Sequence, residues 1–309
     1  MSMKLPFHVS VWVTALTGRA LLLAGAALWL ASGVTAQGAI TARAIALANE
    51  GKLEEAEYKL AAAMASEESL DPMTWYVKAF VLKQKYIAEG QLPGSPLREQ
   101  ALEASRQCLS LDPAGRIQPW LQPLLHFLGD SYIPDIRDAI ALMVPGVPNE
   151  AERLFDSYAE IQKWQDPEWD SEPEWVLMQQ QLAETALSQA QSAESEGAGP
   201  WFELGVNHYQ QAISKEHDRF RSLYNLAVHT YNQGVREFKA SEDDLDAIDS
   251  ALLQAAGKWQ SAAELLEQAI AMDQTQPKAY EALAIVSTAL LNQDRIDWCK
   301  SHLEELGGR

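Results

Sequence analysis

Apolar residues recur at alternating spacings of three and four in several parts of this chain, and that spacing constrains the fold more than any other feature. Residues spaced in this way lie on one face of an α-helix. The clearest stripes are Leu53, Ala56, Leu60 and Ala63; Leu97, Ala101, Ala104, Cys108 and Leu111; and Leu252, Ala255, Trp259, Ala262, Leu266 and Ala269. Strand-like alternation and Asn-Gly or Asp-Gly hairpin turns do not occur. The sequence therefore predicts an all-α fold.

The sequence also marks where two of these helices end. The pairs Asp71-Pro72 and Asp112-Pro113 each follow Ser-Leu and lie 41 residues apart. A proline cannot continue a helix, so we expect a helix to end at each pair. A separation of this size is typical of proteins built from repeated helical pairs.

Two stretches match the two helices of a known repeat. Trp201, Leu204 and Gly205 have the spacing of its first helix, with His208 where tyrosine is usual. The second helix is represented by Trp259, Ala262, Leu266 and Ala269, with Pro277 further along the chain than the usual proline position. The chain thus resembles the tetratricopeptide-repeat (TPR) family, whose first helix carries Trp, Leu-Gly and Tyr and whose second carries Ala, an aromatic residue or Leu, Ala and Pro.

Further copies of the pattern extend this resemblance over residues 40–113 and 200–307. They are Ile40, Ala44, Leu47, Leu53, Ala56, Leu60, Ala63 and Pro72; Trp75, Ala79, Leu82, Ala101, Ser105, Cys108 and Pro113; and Tyr280, Leu283, Ala284, Leu303 and Leu306. Residues 223–235 are similar to a stretch in exported TPR proteins of Bacteroidota-like bacteria. The resemblance implies a TPR-like α-solenoid of antiparallel helix pairs.

The predicted domain organisation follows from where the repeat pattern holds. We expect N-terminal repeats in residues 37–113, irregular helices in 114–199 and C-terminal repeats in 200–309. The irregular part should contain helices at 118–127, 134–143, 150–164 and 174–192. Residues 195–200 contain two glycines and end in proline, so we interpret them as a linker. We favour one continuous array, because single helix pairs cannot bury their faces alone.

The N-terminal residues 1–36 are typical of a secretory signal peptide. They contain two basic side chains, Lys4 and Arg19, no acidic ones, and a short apolar run at residues 20–31. The small residues up to Ala36 predict cleavage after that position and export to the periplasm. The alternative is an uncleaved anchor that holds the protein at the membrane, facing the periplasm.

The charge balance limits the partners of this chain. It has 43 Asp+Glu against 24 Lys+Arg and a formal net charge of -19, which repels phosphate backbones and argues against nucleic acid. No phosphate-binding glycine loop, Gly-x-Ser-x-Gly elbow or His-Glu-x-x-His pair occurs. We therefore expect that this protein is not an enzyme and has no catalytic residues and no cofactor.

Three local features offer alternatives that we rank below structural roles. His208, His217 and His229 could bind zinc, but their spacings do not stack them on one helical turn. The acidic stretch 166–175 could supply oxygen ligands to calcium, but its prolines do not match a calcium-binding loop. Cys108 and Cys299 could form a disulfide, although their stripe positions favour buried thiols.

The function that the resemblance implies is a non-enzymatic scaffold. A protein or peptide partner would lie along the concave face of the helix pairs. The side chains expected on that face are Lys78, Asn207, His208, Asn225, His229 and Asn232.

The alternative function is that of a carbohydrate-binding or nutrient-capture accessory protein. Trp75, Trp201 and Trp259 occupy repeat-packing positions, so we expect them in the core. The tryptophans left for a sugar-binding platform are Trp120, Trp164, Trp169, Trp175 and Trp298.

Overall fold

The computed structural model describes residues 38–193, 195–240 and 248–307, which form α-helices joined by short connections. The helices are α1 (Ala39–Asn49), α2 (Leu53–Met64), α3 (Pro72–Ala88), α4 (Pro96–Leu111), α5 (Gln118–Asp130), α6 (Tyr132–Ala141), α7 (Glu150–Gln165), α8 (Glu172–Ser192), α9 (Ser195–Ile213), α10 (Arg219–Ala240), α11 (Ile248–Met272), α12 (Pro277–Ala289) and α13 (Gln293–Gly307). These ranges contain no strand, so the all-α prediction is confirmed.

The predicted signal peptide lies outside the described residues. Among the helices that are described, none combines the length and the apolarity that crossing a membrane requires.

The helices group into two compact units. The N-terminal unit comprises residues 38–137 and 151–169, and the C-terminal unit comprises residues 138–150 and 170–307. In the N-terminal unit α1 packs against α2 and α3 against α4. The stripe residues Ala56, Ala63, Ala101 and Cys108 are fully buried, as their spacing predicts.

Capping residues fix the starts of the helices in the N-terminal unit. The Asp71 carboxylate accepts the backbone N–H of Met73 at 2.9 Å, and Pro72 begins α3 at the position where a missing N–H costs nothing. At the start of α1, the Glu68 carboxylate accepts the backbone N–H groups of Ile40 (3.2 Å) and Thr41 (2.9 Å). A carboxylate at this end also offsets the positive end of the helix dipole.

The two Asp-Pro signals differ in what they do. At Asp112-Pro113 a helix ends as predicted, because α4 runs to Leu111. At Asp71-Pro72 the prediction is wrong: α2 ends at Met64, a short 3₁₀-helix (Glu67–Leu70) follows, and the pair starts α3. The same dipeptide can stop one helix or cap the next, and Ser66 already caps the intervening turn.

In the C-terminal unit the helix pairs are α8 with α9, α10 with α11 and α12 with α13. The two stretches that resemble one TPR repeat therefore belong to different pairs. Trp201 to His208 lie on α9, which packs chiefly on α8, whereas Trp259 to Ala269 lie on α11, which packs chiefly on α10. The stripe on α11 is buried from Ala255 onward, but Leu252 at its head is 46% exposed.

Residues 195–200, interpreted above as a linker, form the first turns of α9 instead. Pro200 lies inside this helix, although proline removes one hydrogen bond of the helix interior. Packing on α8 outweighs that local preference, because Ala198 is buried and Gly205 lies directly against Leu187 of α8. Tertiary contact has overridden the glycine and proline signals.

Candidate functional site

A network of buried polar side chains joins α8, α9 and α10 in the C-terminal unit. Its centre is the Glu184 carboxylate on α8, which accepts hydrogen bonds from Tyr209 Oη, from Asn225 Nδ2 at 3.2 Å and from His229 Nε2 at 3.1 Å. The second ring nitrogen of His229, Nδ1, lies 3.2 Å from the Gln191 amide nitrogen. A carboxylate only accepts, so His229 Nε2 carries the hydrogen that points at Glu184.

The electrostatics of this network keep Glu184 ionised. Burial by itself raises the pKa of the Glu184 carboxyl, but the hydrogen bonds from His229 and Tyr209 outweigh burial and hold the pKa below its ordinary value. The pKa of Tyr209 is raised, first by burial and then by the negative charge of Glu184, so the phenol remains a donor. The network is therefore one half-buried negative charge surrounded by donors.

Two neighbouring contacts extend the polar layer between the same helices. His208 Nδ1 on α9 lies 2.7 Å from Gln179 Oε1 on α8. The Gln180 amide donates to Ser222 Oγ at 3.0 Å and to the Asp218 carboxylate at 3.2 Å. These bonds satisfy polar groups that would be costly to bury alone.

A cavity of about 300 Å³ opens beside this network. We call it the α8–α10 pocket. The ten residues that line it come from α8, α9 and α10: Leu187, Ala190, Gln191, Phe202, His229, Asn232, Gln233, Val235, Arg236 and Lys239. Such a mixture of apolar walls with a few polar groups is typical of sites that bind a ligand or a side chain.

The charges around the pocket are basic, in contrast to the chain as a whole. Arg236 and Lys239 line it, and no aspartate or glutamate among the described residues does. Arg236 Nη1 donates to the backbone carbonyl of Ala190, which positions the guanidinium without neutralising it. The nearby carboxylate of Glu237 lies 3.7 Å from Lys258 Nζ and accepts from the Gln233 amide at 2.7 Å. The described lining of the pocket thus carries two positive charges in a protein that is acidic overall.

The six side chains predicted to contact a partner occupy different environments. Asn225 and His208 are buried within the polar layer, so the structure does not present them at a surface as expected, because α8 offers them carboxylate and amide partners. His229 and Asn232 line the α8–α10 pocket. Asn207 is exposed on α9.

The sixth predicted contact, Lys78, belongs to the N-terminal unit. It lies half-buried on α3, with its ammonium nitrogen 4.9 Å from the centroid of the Trp75 ring. The structure therefore brings together only His229 and Asn232 of the predicted set in one cavity.

The three histidines considered for zinc have separate roles. His208 and His229 bond to Gln179 and Glu184, and His217 is exposed near the start of α10. In the described part of the chain, no group of three or more His, Cys, Asp or Glu side chains is placed to hold a metal ion.

The acidic stretch 166–175 forms local turns. The Asp166 carboxylate accepts the backbone N–H of Glu168 at 3.0 Å, and the Asp170 carboxylate accepts that of Glu172 at 2.9 Å, at the start of α8. Trp169 packs edge-on against Tyr158 of α7, with ring centroids 5.9 Å apart. These contacts agree with the structural role that the sequence analysis ranked above calcium binding.

The remaining tryptophans differ in exposure. Trp259 is buried, whereas Trp75 and Trp201 are half-buried rather than fully in the core. Trp164 is half-buried, with the Arg106 guanidinium 5.2 Å from its ring centroid. Trp120 and Trp298 are 37% and 42% exposed.

Sequence reasoning missed the side chains that give this site its character: Glu184, Gln191, Tyr209, Arg236 and Lys239. A signal was present in the helical spacing. Residues 229, 232, 233, 236 and 239 stand at i, i+3, i+4, i+7 and i+10 and so form one face of α10. A polar stripe of this period predicts Arg236 and Lys239 but not Glu184, Gln191 or Tyr209, which lie on other helices.

Comparison with known proteins gives little for this chain. No protein-family model and no curated protein matches it. A solved structure of a monomeric mutant of IFIT1 with Gppp-AAAA is similar over 86% of this chain and 54% of that chain, with 16% sequence identity and a TM-score of 0.25. The chain thus spans about half the length of that structure.

Proposed function

We propose that this protein is an exported, TPR-like scaffold that binds a protein or peptide partner and has no enzymatic activity. Export rests on the signal-like residues 1–36, and the TPR-like character rests on the repeat pattern together with the helix pairs. The observation that carries the binding proposal is the α8–α10 pocket. It gathers two of the predicted contacts, His229 and Asn232, in a concave surface.

The chemistry of the pocket suits a polypeptide partner. Gln191, Asn232 and Gln233 carry amide groups that both donate and accept, as the main-chain groups of an extended segment require. Leu187, Ala190 and Val235 supply an apolar wall on which a partner side chain can be buried. The polar network around Glu184 holds α8, α9 and α10 together, so the pocket is formed before a partner arrives.

Site-specific crosslinking in the native host tests this proposal. The photoreactive residue p-benzoylphenylalanine is introduced in place of Asn232 in the pocket, and in a control strain in place of Gln260, which is exposed on α11. We expect one discrete crosslinked protein from position 232 that is absent from position 260. Identical crosslinks from both positions, or none from 232, would overturn the proposal.

Carbohydrate capture, the alternative, has weaker support in the described residues. Of its candidate tryptophans, Trp164 and Trp169 are half-buried against Arg106 and Tyr158. Trp120 and Trp298 are 37% and 42% exposed, but they line no cavity described above. A glycan array separates the two functions. Sugar binding that is lost in Trp164→Ala or Trp169→Ala would favour capture over the scaffold.

A further inference from the structure

We propose that the α8–α10 pocket is a binding site for a small organic carboxylate with an apolar body. This goes beyond the proposed function, because the ligand is a small molecule and its binding can be measured without knowing any protein partner.

The volume of the pocket and its apolar side chains indicate the size and the apolar character of the ligand. A cavity of about 300 Å³ is at the lower end of the range for small-molecule sites. Leu187, Ala190, Phe202 and Val235 give it apolar surface, and the aromatic ring of Phe202 can pack against a second ring. A benzoate-sized molecule matches this space.

The charged side chains of the pocket favour a ligand with a negative charge. Arg236 and Lys239 face the pocket, and in the described part of the chain neither forms an ion pair with an aspartate or glutamate. Arg236 Nη1 donates to the Ala190 carbonyl, which holds the guanidinium in place. Its other N–H groups can still donate to a ligand. An oriented guanidinium prefers a planar carboxylate, which it can bind through two hydrogen bonds.

Among the described residues, the two carboxylates next to the pocket residues are already bonded within the protein. Glu184 lies behind His229 and accepts from Tyr209, Asn225 and His229. Glu237 accepts from Gln233 and pairs with Lys258, whose ammonium nitrogen is 5.3 Å from the Phe202 ring centroid. Both carboxylates are thus occupied by donors of the protein, and the pocket itself offers cations.

Fluorine NMR with a matched pair of probes tests the proposal on the full chain. The probe is 4-(trifluoromethyl)benzoate, and its control is 4-(trifluoromethyl)benzamide, which has the same body without the charge. We expect the benzoate to bind with an affinity that falls at high salt, and the benzamide to bind about tenfold more weakly. Failure of the benzoate to bind, or equal binding of both probes, would overturn the proposal.

Variants then place the binding in this pocket. Lys239→Gln should lower the affinity for the benzoate about threefold to tenfold. Arg236→Gln should lower it by a similar factor, and its amide group can still donate to the Ala190 carbonyl. Lys215→Gln, which removes an exposed charge in the same unit, should leave the affinity unchanged. Unchanged affinity in both pocket variants, with folding confirmed by circular dichroism, contradicts the assignment. Crosslinking from position 232 is read out separately, so the two proposals can fail independently.

Discussion

Gly234 of α10 lies against the indole of Trp259 on α11. A Cβ atom at position 234 would be 2.8 Å from Trp259 Nε1 and 3.2 Å from the backbone carbonyl oxygen of Ala255. Trp259 cannot move aside freely, because its ring also contacts Tyr231 and Phe238 at centroid distances of 6.3 and 6.4 Å. The close approach of α10 and α11 therefore depends on the absence of a side chain at this position.

Gly234→Ala should consequently destabilise the protein. Alanine favours a helix by roughly 1 kcal/mol over glycine, but overpacking of a tight interface costs about 1 to 3 kcal/mol. We expect a net loss of about 1 kcal/mol or more in the free energy of unfolding, measured by denaturant titration. The matched control is Gly257→Ala on α11, where a Cβ meets no atom within 4 Å, and it should gain about 0.5 to 1 kcal/mol. Equal effects of both variants would contradict the close-packing argument.

The same argument explains which part of the repeat pattern the sequence could predict. The Leu-Gly step at Gly205 resembles a TPR first helix, and a Cβ atom there would lie 3.1 Å from the Ala183 carbonyl oxygen of α8. Sequence spacing identified a glycine required by a close helix crossing. It did not identify α8 as the neighbouring helix, because pairing depends on tertiary contacts between stripes that look alike.

Glu184→Gln should show how much the polar network contributes to stability. The amide replaces an acceptor of three hydrogen bonds with a group that offers only one accepting oxygen, so about 1 to 3 kcal/mol should be lost at neutral pH. Because the pKa of Glu184 is lowered by folding, its contribution is present above the unfolded pKa of about 4.3 and is lost as pH falls through the folded-state value.

The pH dependence separates this charge effect from a general loss of packing. The difference in unfolding free energy between the native protein and Glu184→Gln should shrink as the pH is lowered below about 4, because the carboxyl becomes neutral in both states. Glu203→Gln on the exposed face of α9 is the control and should change the stability by less than about 0.5 kcal/mol at neutral pH. A difference that stays constant down to acidic pH would contradict the assignment.

The candidate site could be predicted only in part, for a physical reason. His229 and Asn232 were identified as polar side chains on the face of a TPR-like helix that was expected to meet a partner. Glu184 was not, since a glutamate in a helix is usually solvated and nothing local distinguishes one that lies partly inside the protein. Its role depends on Tyr209 and Asn225, which are 25 and 41 residues away along the chain.

In the N-terminal unit, Asp135→Asn should be among the more destabilising single changes. Arg98 Nη1 lies 2.7 Å from Asp135 Oδ2, and the two side chains are only 1% and 6% exposed. Asparagine at 135 removes the carboxylate closest to the buried guanidinium and leaves only Glu99, whose Oε1 lies 3.9 Å from Arg98 Nε. Loss of one partner of a buried ion pair typically costs about 3 to 5 kcal/mol. The control pair is Arg106 and Glu103, about half exposed, where Glu103→Gln should cost less than about 1 kcal/mol. Similar losses of stability in Asp135→Asn and Glu103→Gln, measured by thermal unfolding, would contradict the difference expected between the buried and the exposed ion pair.

Both cysteines should be unreactive until the protein unfolds. Cys108 and Cys299 are buried free thiols, which confirms the expectation from their stripe positions over a disulfide. Burial raises the pKa of Cys108 to about 12, with the charge of Asp112 adding to the effect, and burial raises that of Cys299 to about 11. Since the thiolate is the reactive form, a thiol reagent at mildly alkaline pH should modify neither residue in the native protein.

Denaturation without reductant completes this test. Two thiols per chain should then react, whereas a disulfide between Cys108 and Cys299 would leave none. A positive control is Ser214→Cys, an exposed position after α9 whose new thiol should react at once in the folded protein. The prediction would be contradicted if the native cysteines reacted at a rate near that of the thiol introduced at position 214. Such a rate would mean that the helix pairs around Cys108 and Cys299 open easily, and the raised pKa values depend on their staying closed.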